Sequence, residues 1–554
     1  MHKNKSLVLF LFAAWLWLCL PHTAWAEDNI AHSQLIEQGK RIYREGVLSD
    51  GSLLRASQGS LSLSGAEAAC VRCHRRSGFG GSEGRRFARP LIGKYLFTEP
   101  DHNSIASRVP QALQNRRHAA YTTPTLLRAL GEGIDSTDRP LDPLMPRYKF
   151  SAQDVEALNA YFVSLSANLS PGVDDKTAHF ATIVTDDVPP EKSRLMLEML
   201  NIFVADKNAG TRLEDGRKRV GREYIDRAYR KWELHVWQLS GAPETWLKQL
   251  QDYYRQQPVF AVISGISTQN WAPIHAFCEQ AEIPCVYPNT VYPVANRADV
   301  YPIYFSRGIA LEADALAKFL TDGSAKKTIA KIVQVFRKDS VGSMASQALL
   351  KALAGKNGIQ LQDIILDAEE GAAIAAAVKQ GISSDKSVML VNWLQGTDLQ
   401  ASLQSEAAGK QVEGIYLSAS LVDNHWDWVP DTLRSKVFLL YPFDLPAARE
   451  SRMARFGVWL KSKHLPLTDE AIQANSYFAA SITGDAFGQL TENFYRDYLI
   501  ERIEHMTGLA LTPTVFPRLS LGPGQRFASK GAYVMRLNGP ASQPLVPISD
   551  WLVP

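Results

Sequence analysis

Apolar residues along this chain follow two different periods, with the change falling in the stretch 166–178. Before it the period is helical. Leu35, Ile36, Gly39, Ile42 and Tyr43 fall on one helix face, and Val155, Leu158, Tyr161, Phe162 and Leu165 form a second stripe, with Tyr121 to Gly133 as a further helix and turn between them. Residues 166–178 are polar and turn-rich and read as a linker. Beyond them, short apolar runs (Phe180–Val184, Leu234–Leu239, Phe260–Ile263, Ile332–Phe336, Val388–Val391 and Ile415–Leu417) alternate with helix-length segments such as Ala310–Leu320 and Met344–Leu353. Alternating strands and helices predict parallel sheets covered on both faces.

The first residues carry a third pattern. Lys3 and Lys5 precede an apolar stretch from Leu7 to Leu20, and Ala24-Trp25-Ala26 has the small residues of a cleavage site. Residues 1–26 read as a secretory signal peptide, which would leave Glu27 first and place a soluble mature chain in the periplasm. Bulky Leu18 precedes Cys19, where a lipoprotein signal needs a small residue, so no lipid anchor is expected.

Composition narrows the classes further. At 554 residues the chain exceeds one compact core and has room for about three lobes of ordinary size. Sixty basic against 57 acidic side chains make it nearly neutral, which argues against nucleic acid as the main partner.

The sharpest chemical signal is Cys70-Val71-Arg72-Cys73-His74. Two thiols at this spacing add across haem vinyl groups, and the adjacent imidazole takes an axial iron position. A zinc ribbon would need a second Cys-x-x-Cys pair, which the chain lacks, and a thioredoxin-type motif would follow a strand and would not require the histidine. One covalent haem c is therefore expected, held by Cys70 and Cys73, with His74 on the iron. Arg72, Arg75, Arg76, Arg85, Arg86 and Arg89 crowd the motif and suit haem propionates, an acidic redox partner or plain solvation. Gly78-Phe79-Gly80-Gly81-Ser82-Glu83-Gly84 has the wrong glycine spacing for a nucleotide loop and no apolar strand before it. Between Glu27 and residue 195 the only methionine is Met145, which leaves it as the one thioether for the iron in this region.

The order of helices around the haem motif resembles the monohaem class I cytochrome c fold, assigned to residues 27–165 as an all-α domain. That family places its sixth ligand in a loop before the last helix, as in Leu144-Met145-Pro146-Arg147-Tyr148. The resemblance implies His74 and Met145 as the two metal ligands of the haem iron. The residues alone also admit a core-filling Met145 with an open iron, or a second histidine, His102 or His118. A His and Met pair leaves no vacant position and suits single-electron transfer.

Residues 179–554 resemble the type I periplasmic solute-binding proteins of the leucine/isoleucine/valine class, with two α/β lobes. The local match runs from Val262-Ile263-Ser264-Gly265-Ile266-Ser267-Thr268 through Ala281-Glu282-Ile283-Pro284-Cys285-Val286-Tyr287-Pro288-Asn289-Thr290. The resemblance implies that Ser267 and Thr268, at a helix start, receive a ligand carboxylate, with Asn289 and Thr290 on the next turn. Asp423 is the candidate for a ligand ammonium, and Trp393 and Gln395 for the wall of the cleft, with ordinary packing as the reading the sequence favours. Leu519 to Leu537 resembles the C-terminal segment of binding proteins found with quinoprotein alcohol dehydrogenase systems, which implies such a dehydrogenase, or another cytochrome, as a periplasmic redox partner. Cys278 and Cys285 are separated by a short loop between a helix end and a strand start, so an oxidising compartment favours a structural disulfide.

The expected function is electron transfer through one haem by a chain whose second part binds a small polar solute. The alternative is a receptor for an ABC importer in which the haem is a redox tag. No nucleophile or metal cluster in the α/β part points to an enzyme.

Overall fold

The computed structural model describes residues 30–83, 86–99, 118–217, 229–294, 296, 298–322, 331–356, 358–382, 388–404, 412–423, 426–539 and 545–554. The signal-peptide reading, His102 and Arg85 lie outside them, as do the side chains of Ser82, Glu83 and Arg86. The chain divides into two compact units, Met1–Leu169 and Ser170–Pro554.

In the first unit, helix α1 (residues 30–45) packs on α3 (Ala152–Ser164), with α2 (Thr123–Gly131) beside α3. Gly39 makes the crossing possible. A Cβ there would lie 2.0 Å from the Ala157 carbonyl oxygen and 2.7 Å from Tyr161 Cβ, so any larger residue would push the helices apart. Helices α2 and α3 each open on a capping box, at Thr122 with Thr125 and at Ser151 with Asp154, which satisfies donors at their first turns. Their apolar faces close a core of Ile42, Tyr43, Leu126, Leu130, Leu158 and Phe162.

The expectation of an all-α first domain needs correction. Strands β1 (Arg55–Gln58), β2 (Leu61–Ser64) and β3 (Arg147–Tyr148) form an antiparallel sheet in the order β2-β1-β3. Gly59, at φ +58°, starts the two-residue turn between β1 and β2. Strands this short and this exposed carry too few alternating positions to stand out against the helical stripes around them.

The second unit contains two sheets. One is built from β4 (Thr177–Thr185), β5 (Lys231–Leu239), β6 (Ala261–Ile263), β7 (Cys285–Val286) and β8 (Pro302–Ile303), all parallel in the order β8-β7-β6-β4-β5. The other runs β10 (Gln360–Leu366), β9 (Lys331–Arg337), β11 (Val388–Asn392), β12 (Val412–Ser418), β13 (Val437–Tyr441), β14 (Tyr533–Arg536) and β15 (Val546–Pro547), parallel except for β14, which pairs antiparallel with both β13 and β15. Both faces of each sheet are apolar, as parallel strands require. Phe180 and Ala181 enter different cores in the first lobe, and Ile332 and Val333 do so in the second.

Helix α4 (Pro190–Arg217) and the late helices α12 (Glu470–Gln489) and α13 (Arg496–Met506) complete the first lobe, so that lobe is discontinuous in sequence. The chain leaves it after β8 into α7 (Ile309–Thr321), which packs on α8 (Val341–Leu353) and β13 in the second lobe. Two of the crossings between lobes run side by side: Tyr304 bridges Phe527, and Ser529 N–H donates to Phe305 O at 2.6 Å.

The stretch read as a linker is largely tied down. Ser166 Oγ donates to Ser77 O within the first unit, while Ser170 N–H donates to Phe494 O and Gly172 lies against Phe260 in the second. Arg496 gathers this entry point. Its buried guanidinium donates to the carbonyls of Pro171, Val259, Phe260, Ala281 and Glu282 and to Tyr254 Oη, at 2.6 to 3.3 Å. Carbonyl dipoles rather than a carboxylate offset the buried charge. Cys278, in α6 (Ala272–Gln280), is joined by a disulfide to Cys285 at the start of β7. Among the described residues no helix is long and apolar enough to cross a membrane.

Candidate functional site

Cys70 and Cys73 bracket the start of a one-turn helix, Val71–His74, and both thiols are free. Cys70 is buried against the core that Ile42, Tyr148 and Phe162 share, and that burial pushes its thiol up to about 12. Cys73 is exposed. His74 Nδ1 lies 2.7 Å from the Arg89 carbonyl oxygen, and burial lowers the ring's pKa, so it is a neutral imidazole with Nδ1–H as donor. That bond fixes the tautomer and leaves Nε2 as the ring nitrogen with a lone pair, the arrangement of a metal-binding histidine. A strained backbone follows at once: Arg75 has φ +63°, and its carbonyl accepts from Tyr43 Oη at 2.6 Å.

Met145 packs, half-buried, against the same core as Cys70. Its loop is pinned at three points: Met145 N–H donates to Asp142 O, Arg147 donates to Met145 O at 2.5 Å, and Gln58 Nε2 donates to Leu144 O. His118 is placed differently. Its ring is packed by Tyr95 and Tyr121, with centroids 4.8 and 5.0 Å away, and its Nδ1 is 2.9 Å from Ala119 O. Two free thiols at one helix turn, an imidazole held by a carbonyl and a thioether in the common core are a donor set that fits a covalent haem.

The second site lies at the carboxyl ends of the first lobe's strands, where open parallel sheets leave a crevice. Ser264, at φ +58°, and Gly265, at φ +115°, turn the chain sharply after β6, and a Cβ on Gly265 would come within 3.0 Å of Trp271. The turn brings Ser267 beside Asn289, with Ser267 N–H to Asn289 O at 3.4 Å. Four polar residues expected to hold a solute are thus neighbours along two adjoining loops, but most of their groups have partners. Thr268 donates its N–H and its hydroxyl to Asp187 Oδ2, at 2.7 and 2.5 Å. Asn289 Nδ2 donates to Ser264 Oγ and Ser476 Oγ, Ser267 Oγ accepts from Gln269 N–H, and Thr290 Oγ1 accepts from Tyr292 N–H. Nor does Thr268 open a helix: α6 begins four residues later, with Asn270 Oδ1 accepting from Ala272 N–H.

On the second lobe, Trp393 is core rather than cleft wall. It is 2% exposed, and its indole donates to Gln334 Oε1 at 2.9 Å, because β11 ends inside the packed layer. Gln395 is exposed and precedes α10 (Gly396–Leu403). Asp423, at φ +55°, pairs with Lys192 of α4 at 2.5 Å, across from the first lobe. Lys192 also stands 4.0 Å from Asp469. Behind Asp423, buried Glu312 of α7 accepts from Ser420 N–H and Oγ and so fixes the loop after β12. Asp187 and Lys192 escaped sequence reading; the only signal was their position just past an apolar strand.

Two further clusters have metal-ligand chemistry. His179 on β4 and Glu233 and His235 on neighbouring β5 bring two ring nitrogens within 3.0 Å and a carboxylate within 3.6 Å. His275, Glu279 and Asp299 are instead spent on one another and on Tyr304, Val300 and Tyr301.

No protein-family model matches the chain, and no curated protein matches it. Solved structures do share its architecture. A leucine-binding protein from Thermotoga maritima has a TM-score of 0.50 at 12% identity, covering 68% of this chain and 99% of that one. A possible leucine/isoleucine/valine-binding protein from Rhodopirellula baltica gives 0.50 at 14%, covering 69% and 98%. A type 1 periplasmic binding protein from Bordetella pertussis gives 0.50 at 13%, covering 67% and 100%. At such identities the likeness is one of fold: the two-lobed α/β unit has the type I periplasmic-binding-protein architecture.

Proposed function

We propose that the second unit is a periplasmic receptor for a small polar solute, non-enzymatic, and that the first unit carries one covalent haem c. The observation that carries the receptor reading is that Lys192 of the first lobe pairs with Asp423 of the second, while Asp187, five residues before Lys192, accepts from Thr268 at the carboxyl end of the first lobe's sheet. Closure of the lobes on a solute is the motion such architectures use. The structures that share the fold include a leucine-binding protein, so amino acids are among the solutes to be tried, and an ABC importer is the partner this reading calls for. Small-angle scattering of the exported full chain, with and without amino acids, alcohols and amines, tests it. Compaction with any one supports a receptor; none with all of them would make the crevice something else.

A second activity, electron transfer, is favoured by the Cys70–His74 geometry. In this reading Cys70 and Cys73 would hold the haem through thioethers, and His74 and Met145 would be the residues that bind its iron. When bound, the haem supplies a one-electron couple. His74, held through Nδ1 by Arg89 O, keeps Nε2 unprotonated, and Cys70 is buried in the core against which Met145 packs. The electron partner in this reading is a quinoprotein dehydrogenase or another periplasmic cytochrome. A haem stain on the denatured chain, expressed with cytochrome c maturation, decides whether the group is attached.

A further inference from the structure

The two polar ends of a free amino acid have counterparts in this crevice that the chain itself supplies. Thr268 offers an N–H and a hydroxyl in the geometry that grips a carboxylate, and the carboxylate it grips is Asp187. Asp423 offers the acid that would receive an ammonium, and the ammonium it receives is that of Lys192, five residues after Asp187. A solute carboxylate would have to displace Asp187 from Thr268 and then lie beside its charge. A solute ammonium would have to displace Lys192 from Asp423.

Two acceptors of these loops, Asp187 Oδ1 and Asn289 Oδ1, still lack a partner among the described residues. Asp187 Oδ1 is buried and, among the described residues, accepts no hydrogen bond. A buried carboxylate oxygen without a donor is costly, and an incoming N–H or O–H relieves that cost. Asp186, Asp423 and Asp469 stand in the same loops or across from them, while Lys192 is the cation that the structure sets against them. The local field therefore disfavours a further anion.

We propose that the crevice takes a solute that offers a hydrogen-bond donor, an ammonium or a hydroxyl, and carries no carboxylate, with Asp187 as the residue that sets this preference. The inference rests on the receptor reading and deepens it. It separates this chain's ligand class from that of the leucine-binding protein whose fold it shares.

Calorimetry on the exported full chain with four probes that share an isobutyl group tests it: leucine, isovalerate, isoamylamine and isoamyl alcohol. The wild type should give heat with the amine or the alcohol and none with the two acids. Asp187→Ala should weaken the donor probe by about tenfold or more, the effect of removing a buried hydrogen-bond partner, and should admit isovalerate to the freed Thr268 donors. Asp187→Asn keeps the side-chain shape and should also lose the amine, which guards against a misfolded alanine variant. If the wild type binds leucine or isovalerate and Asp187→Ala changes nothing, the inference falls while the receptor stands. No heat from any probe with wild type or variants would overturn the receptor reading and this inference with it.

Discussion

The haem-motif unit and the two-lobed unit carry their chemistry in opposite ways. In the first, five consecutive residues place two thiols and an imidazole on one helix turn, so the proposed attachment site is a property of local sequence. In the second, Asp187, Lys192, Thr268 and Asp423 come from separate segments, and each is defined by the partner the fold gives it. A motif states what its residues can do. A crevice shows which of its groups are still available to do it.

The largest effect that would sharpen this contrast is all-or-none. Cys70→Ala with Cys73→Ala should leave no haem on the chain after denaturing electrophoresis, since the proposed thioethers would be the only covalent links, while solute binding by the second unit persists. Retained haem would break the comparison. Next comes Arg496→Met, which strands five carbonyls, two of them in fully buried bonds, and should cost on the order of 3–5 kcal/mol. Denaturation followed by fluorescence of Trp232, Trp237, Trp246 and Trp271, all buried in the first lobe, would report the loss, with the haem spectrum unchanged.

A smaller change is expected at Met145. Met145→Ala should keep the haem attached, remove the weak near-infrared sulfur-to-iron band of the oxidised form and lower the potential. An unchanged spectrum would assign Met145 to packing alone.

The last effect, confined to a pH window, concerns Glu312. Burial pushes its carboxyl up from 4.5 to about 8, against hydrogen bonds from Ser418 and Ser420 that pull it down. The folded chain thus keeps a proton that the unfolded chain releases near pH 4.5. The stability this contributes is complete below that value and is lost as the pH rises through 8. Glu312→Gln should flatten the decline in second-unit stability across that window, by at most about 1.4 kcal/mol per pH unit. An equal slope in both proteins, from urea titrations at several pH values, would remove Glu312 as its source.

Much of the architecture was legible because periodicity survives the loss of the third dimension. The runs read at Phe180–Val184 and Ile332–Phe336 lie inside strands Thr177–Thr185 and Lys331–Arg337, and the helix at Ala310–Leu320 inside Ile309–Thr321. Strands of two residues, such as Cys285–Val286 and Pro302–Ile303, have no period to read. The crevice was legible only as a location. Ser267, Thr268, Asn289 and Thr290 do meet, yet nothing in the sequence says that Asp187, some eighty positions from Thr268, will take both of its donors. Trp393 follows the packing reading that the sequence favoured over a cleft wall: Gln334 on the adjacent strand satisfies its indole inside the core.

The carbonyls gathered by Arg496 also impose an order of events on the nascent chain. Pro171, Val259 and Ala281 are made early, but the cation that draws them together is more than two hundred residues behind. As the polypeptide is synthesised or threaded across a membrane, the first lobe to begin is therefore the last that can close. Strands Lys331–Arg337 through Val437–Tyr441 of the second lobe, contiguous and already emerged, can pair while it waits. A truncation just before Arg496 would leave the opening strands exposed to proteolysis although every one of them is present.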